Sequence, residues 1–154
     1  MIIGSGMTMG ALGELGELYI VNADSYTLEL SVDEYTILDG VHSGAIGGEV
    51  AVNGALGTIT INKIGQYQAN VNMSFSLDGK DTKIDGSIFA NGIRQDKVHF
   101  ERDIKTVGVV GAAGAVGFCN IDVVPVVLDF RLIADVELRT VAVQHFNISI
   151  VGMR

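Results

Sequence analysis

The sequence predicts an all-β protein built as one antiparallel sandwich, and three observations carry that expectation. β-Branched and aromatic residues alternate with polar ones from Leu18 to the end, the two-residue period of a half-buried strand, whereas apolar residues at helical spacing are hard to find. Asn53-Gly54, Asp78-Gly79 and Asn91-Gly92 are tight-turn dipeptides, because asparagine, aspartate and glycine tolerate the positive φ that two-residue hairpins require. Strands at short, even intervals with no helices between them favour a sandwich or jelly roll over a parallel α/β sheet.

In the first half, the pattern places strands at 18–21, 26–32, 35–38, 49–52 and 58–62. In the second half it places them at 65–77, 83–90, 97–103, 115–124, 127–135 and 138–151. Faces follow from the alternation. Tyr67, Ala69, Val71, Met73, Phe75 and Leu77 are apolar, and the residues between them, from Gln68 to Ser76, are polar, so one side of that strand is core. Phe146, Ile148 and Ile150 repeat the pattern near the end. Val123, Val124, Val126, Val127 and Leu128 form a nearly continuous apolar run, as in a strand covered on both faces or lying in a subunit contact.

The length, 154 residues, fits a single domain, and no internal repeat or linker divides it. Residues 1–16 read as an extended N-terminal arm and 17–154 as the domain. The arm has apolar positions, Met7, Met9 and Leu12 among them, but too little periodicity to fold alone, and it lacks the basic start of a secretory signal. The uncharged stretch 106–121 is shorter than the roughly 20 residues of a spanning helix and reads as a strand pair around a glycine loop, so no membrane partner is expected. A net charge of −8 works against phosphate backbones and anionic lipid, so nucleic acid is not expected either. Cys119 is the single cysteine, which excludes an intrachain disulfide and reads as a small buried residue.

The chemistry of an active site is hard to assemble from these residues. His42, His99 and His145 fall in different predicted elements, with no histidine or cysteine at metal-ligand spacing. Ser43 beside His42, or Cys119 with a distant His145, can be drawn as nucleophile and base, but a chain of this size allows such pairs by chance. Asp78, Asp81 and Asp85 miss the calcium-loop spacing and read as a solvated hairpin tip. Gly108, Gly111, Gly114 and Gly117 recur every third residue without the proline of collagen or the lysine of a phosphate loop. No enzyme, cofactor or metal is expected.

Ile64-Gly65-Gln66-Tyr67 leads into the long alternating strand that ends in Ser74-Phe75-Ser76. Ile88-Phe89-Ala90-Asn91-Gly92 closes an apolar strand with an Asn-Gly turn, Arg102 follows, and Phe146 to Val151 forms the last strand. In this order the residues from about 57 to 154 resemble the tumour-necrosis-factor and C1q-like jelly rolls, especially those in structural proteins of tailed bacteriophages. The usual Gly-Asp turn before the penultimate strand is replaced by Val124-Pro125-Val126, so this turn must be built differently. The resemblance implies a last strand running beside the first at the centre of the inner sheet. It also implies a homotrimer with apolar inner-sheet faces around the three-fold axis, which places trimer contacts at Tyr67, Phe75, Phe130 and Phe146.

The expected function is that of a virion structural protein, a trimeric capsid decoration or cement protein whose partners are copies of itself and the major capsid protein. Shell contacts are expected in the arm, at Met7, Met9 and Leu12. The alternative is a tail or fibre adhesin that recognises a host-surface glycan through loop aromatics; most aromatics here lie within strands, which favours the structural role.

Overall fold

The computed structural model describes residues 13–153. Twelve strands follow one another: β1 (Leu15–Ile20), β2 (Tyr26–Leu30), β3 (Thr36–Ile37), β4 (His42–Gly47), β5 (Val50–Asn53), β6 (Thr58–Ile61), β7 (Gly65–Leu77), β8 (Thr82–Ala90), β9 (Ile93–Ile104), β10 (Gly111–Ile121), β11 (Val126–Ala134) and β12 (Arg139–Gly152). The one helical element among the described residues is a 3-10 turn at Asn22–Asp24. The strands build two six-stranded sheets. Sheet I runs β10-β7-β12-β1-β4, with β2 also paired to β12, and sheet II runs β5-β6-β11-β8-β9, with β3 paired to β11. All pairings are antiparallel, so the protein is the jelly-roll sandwich that the sequence predicts.

The alternation in the two longest strands sets the register. Met73 lies opposite Phe146, Val71 opposite Ile148 and Ala69 opposite Ile150, so the apolar sets of β7 and β12 share the inner face. On its other side β12 pairs β1, with Leu18 opposite Ile148, which puts the last strand beside the first in mid-sheet. Across the gap, Ile59, Ile84, Phe130 and Leu132 rise from sheet II, and together these side chains form one buried core. A dry interior of this kind supplies the main driving force for the fold.

Several boundaries differ from the sequence expectation. Leu15 and Gly16, assigned to the arm, already pair with Val151 and Ile150 in β1; added side-chain bulk at Gly16 would strike Val50 and Ile59 of the core. Residues 1–12 of the arm lie outside the described residues. Strand β4, His-Ser-Gly-Ala-Ile-Gly, has no expected counterpart; it is an edge strand whose pairing with β1 is interrupted by a register shift. The stretch 106–121 is not a buried strand pair. It is a loop with Val107, Val109 and Val110 exposed, followed by the single edge strand β10. The apolar run from Val123 also divides: Val123 is exposed, the Val124-Pro125 peptide is cis, and Val126 begins β11 in the middle of sheet II. This is how the turn before the penultimate strand is built. At Asn91-Gly92 both residues have positive φ, 49° and 80°, and the predicted two-residue turn forms there between β8 and β9.

Candidate assembly face

Tyr67, Phe75, Phe130 and Phe146, expected at a trimer contact, lie inside the sandwich instead, none more than 2% exposed. Phe75 and Phe146 descend from sheet I and Phe100 and Phe130 rise from sheet II. Their rings form a column with centroid spacings of 6.4 Å from Phe75 to Phe100, 5.8 Å from Phe100 to Phe130 and 5.3 Å from Phe130 to Phe146. Tyr67 lies on the same inward face of β7 as Phe75, its hydroxyl donating to the Lys63 carbonyl at 2.6 Å. The physical reason is parity: a two-sheet sandwich spends its apolar alternate positions on its own core, and only the opposite set faces outward. The other candidate contacts, Met7, Met9 and Leu12, lie outside the described residues.

The outward set of sheet I has an unusual composition. From β7 it presents Gln68, Asn70, Asn72 and Ser74, from β12 His145, Asn147, Ser149 and Val151, and from β10 Ala112, Gly114, Val116 and Phe118. Val116 and Phe118 are 55% and 57% exposed. Across these strands and β1, Glu17 is the one carboxylate, and no lysine or arginine points outward. That carboxylate is already bound: Oε1 accepts from the Ala45 amide at 3.1 Å and Oε2 from Asn147 Nδ2 at 2.7 Å. Beside it Tyr19 stacks on His42 with centroids 5.0 Å apart, and His42 Nε2 meets Asp24 Oδ1 at 2.8 Å. The Val21 amide, and secondarily His42, hold the Asp24 carboxyl below its usual range. Between these residues and Ala112–Gly114 a shallow groove of about 730 Å³ crosses the face, lined among others by Tyr19, Asn72, His145 and Asn147.

Sheet II presents the opposite character. Tyr35 and Ser87 hydroxyls donate to Asp85 Oδ1 at 2.9 and 2.8 Å, and Arg94 reaches Tyr35, Ser87, Asp85 and Asp96. Burial, then Asp85, push the Tyr35 phenol up. Arg131 grips Asp129 with two hydrogen bonds of 2.6 and 3.1 Å while its guanidinium sits 4.3 Å from the Phe89 ring centroid. Charges that satisfy one another suit a face exposed to water. A face whose three strands β7, β10 and β12 bring no charged side chain outward except the imidazole of His145, and which exposes valine and phenylalanine, suits contact with protein.

The remaining residues singled out in the sequence do not converge. Cys119 lies opposite Tyr67, near one end of sheet I, and His145 opposite Ser74, near the other, so they are no nucleophile and base. Asp78 accepts the Thr140 amide while Asp85 belongs to the Arg94 cluster, and among the described residues no three of His, Cys, Asp and Glu come together to hold a metal ion. Among the same residues no helix is long and apolar enough to cross a membrane. Of the regularly spaced glycines, Gly117 serves close packing: a Cβ there would stand 2.8 Å from Val98 Cγ2 and 3.0 Å from the Lys97 carbonyl. The outward face itself was missed by reasoning that sought apolar contacts, although its signal, a strand face rich in amides and free of charge, is plain in Gln68, Asn70 and Asn72.

No family model matches the sequence. No curated protein matches it either. Solved structures do match in fold. The Eiger TNF of S. frugiperda superposes with a TM-score of 0.65 at 12% identity, over 92% of this chain and 94% of that one. Murine APRIL gives 0.59 at 11% identity over 91% and 100%, and the PRD1 vertex protein P5 gives 0.58 at 14% identity over 93% and 99%. At these identities the likeness is one of fold, and the fold is the jelly roll of tumour-necrosis-factor type.

Proposed function

We propose that this chain is a non-enzymatic structural protein of a tailed-bacteriophage virion, a homotrimeric decoration or cement protein that binds the major capsid protein. The observation that carries the reading is the outward face of sheet I. In a chain of net charge −8, copies repel wherever carboxylates meet, and this face lets them approach without a charged side chain from β7, β10 or β12. Exposed Val116 and Phe118 add apolar area that water does not favour. The resemblance to trimeric jelly rolls supports a copy number of three, and the likeness to a vertex protein of PRD1 supports placement in a virion over a signalling role.

A second reading, an adhesin module for a host-surface glycan, draws on the groove, whose Asn72, Asn147 and Tyr19 are neutral hydrogen-bonding groups suited to a sugar. It requires the face to stay open. Light scattering coupled to size-exclusion chromatography separates the two. The structural reading expects a trimer mass that persists in high salt and falls to a monomer in Phe118→Asp and Val116→Asp, with the far-UV spectrum unchanged. A monomeric wild-type protein overturns it. Co-sedimentation of the trimer with capsids lacking their decoration then tests the shell partner.

A further inference from the structure

We propose that the sandwich meets the shell with one of its two ends, the one where Gly13 and Met153 stand, and that the partner surface it fits is apolar and nearly free of charge. This placement rests on the virion reading above and adds the surface that carries it. Four connections converge at this end, 48–49, 62–64, 91–92 and 122–125. Ile64, Ile93, Val123 and Met153 rise from it, 61%, 68%, 77% and 46% exposed. Their segments are neighbours. Ile64 and Met153 line one hollow with Gly13, Ile64 and Asp122 line a second, and Asn91 exchanges two hydrogen bonds of 2.8 Å with Val127 at the start of β11. Large apolar side chains grouped in water lose free energy that burial against protein recovers.

Charge separates the two ends. The loops opposite, 31–35, 78–81, 105–110 and 135–138, also expose valines and Leu138, but two carboxylates stand in each of 31–35, 78–81 and 135–138, with Lys80 and Lys105 among them. In the four connections around Ile64 the ionisable side chains are Glu49, Lys63 and Asp122. The centre of a protein interface is depleted of charge, so the sparser end suits contact. Its backbone is also held before a partner arrives. The Tyr67 hydroxyl donates to the Lys63 carbonyl at 2.6 Å, the Asn62 amide to the Glu49 carbonyl at 2.9 Å and the Met153 amide to the Gln66 carbonyl at 2.7 Å, which leaves little ordering to be done on binding. Position favours the same end. Twelve residues without a charged side chain precede Gly13, so the arm expected to touch the shell starts beside this patch. A three-fold rotation never turns a subunit over, so the three copies of this end face the same way and engage one surface together.

Light scattering together with co-sedimentation on capsids lacking their decoration tests the placement. The double variant Ile64→Asp, Val123→Asp should keep the trimer mass and a native far-UV spectrum, since both side chains are exposed. It should bind capsids about 100-fold more weakly, because every subunit of the trimer carries the change. Val109→Asp, at the opposite end, should bind as the wild type does. Wild-type binding retained by the double variant, or lost in Val109→Asp, overturns the placement and leaves the virion reading standing. A wild-type trimer that ignores capsids overturns the virion reading, and the placement with it. A hexamer mass that falls to a trimer in the double variant shows that the end receives a second trimer, which overturns the shell contact.

Discussion

Phe130 of sheet II and Phe146 of sheet I meet in the core with ring centroids 5.3 Å apart and planes inclined by 36°. This contact ties the centres of both sheets, because β11 lies between β6 and β8 and β12 lies between β7 and β1. Removing either ring takes away apolar burial and leaves a void that rigid neighbours fill poorly. Phe146→Ala is expected to lower stability by about 3–5 kcal/mol, measured by urea denaturation. Phe146→Asp is expected to unfold the subunit itself, which circular dichroism distinguishes from a simple loss of assembly.

Gly86 faces the same column. A Cβ at this position would stand 2.6 Å from both Phe100 Cζ and Phe130 Cζ. Gly86→Ala is therefore expected to destabilise by about 1–3 kcal/mol through overpacking, despite the usual gain from replacing a strand glycine. Pairing it with Phe100→Leu should recover part of the loss, and a double-mutant cycle measures how much.

The Tyr35, Asp85 and Arg94 cluster secures the segment before β3 to sheet II. Tyr35→Phe removes a donor to Asp85 and an acceptor for Arg94, and should cost about 1–2 kcal/mol. Arg94→Met leaves Asp85, whose side chain is 15% exposed, with hydroxyl partners alone, and should cost about 2–4 kcal/mol. Both variants should keep the native oligomeric mass, since neither residue faces outward from sheet I. A change of mass on substituting Arg94 would place the assembly contact on sheet II.

Tyr26 donates its hydroxyl to the Asp39 carbonyl at 2.7 Å, and burial, followed by the Asp39 charge, pushes its phenol up to about 12. The unfolded chain loses this proton near the ordinary value of 10.0 and the folded chain retains it to about 12. The folded state therefore holds more protons between the two values. Its extra stability is complete below pH 10.0 and is lost as pH rises toward about 12. With partial exposure to screening solvent, the loss due to this group is on the order of 1–2 kcal/mol. Tyr26→Phe should flatten that part of the profile in urea titrations at successive pH values.

Much of this architecture is legible in the sequence where a strand carries large side chains on one face. β7 and β12 can be read residue by residue, because Tyr67, Met73, Phe75, Phe146 and Ile148 alternate with amides and hydroxyls. Asn91-Gly92 likewise fixes a hairpin, since both residues must hold positive φ. β4 and the start of β10 left no such mark: His42 to Gly47 and Gly111 to Gly114 are small or glycine-rich, and their place is set by neighbouring strands and by contacts such as that of Arg102 with the Ala112 carbonyl. The four aromatic residues expected at a trimer contact stand on the inward parity, which the chain's own core occupies. Large apolar residues mark burial, and alternation alone does not say whether they are buried by the chain itself or by another copy. The amides opposite them mark the face that the chain leaves outward.

Glu17 and Asn147 share a hydrogen bond across 130 residues of sequence, and the strands that carry them, β1 and β12, lie side by side in sheet I. The pairing has a kinetic consequence. Until β12 is available, β1 lacks its inner neighbour and β7 lacks one of its two hydrogen-bonded neighbours, so the central sheet closes through a very long loop. Two-state domains dominated by such distant pairings fold over roughly milliseconds to seconds, not microseconds.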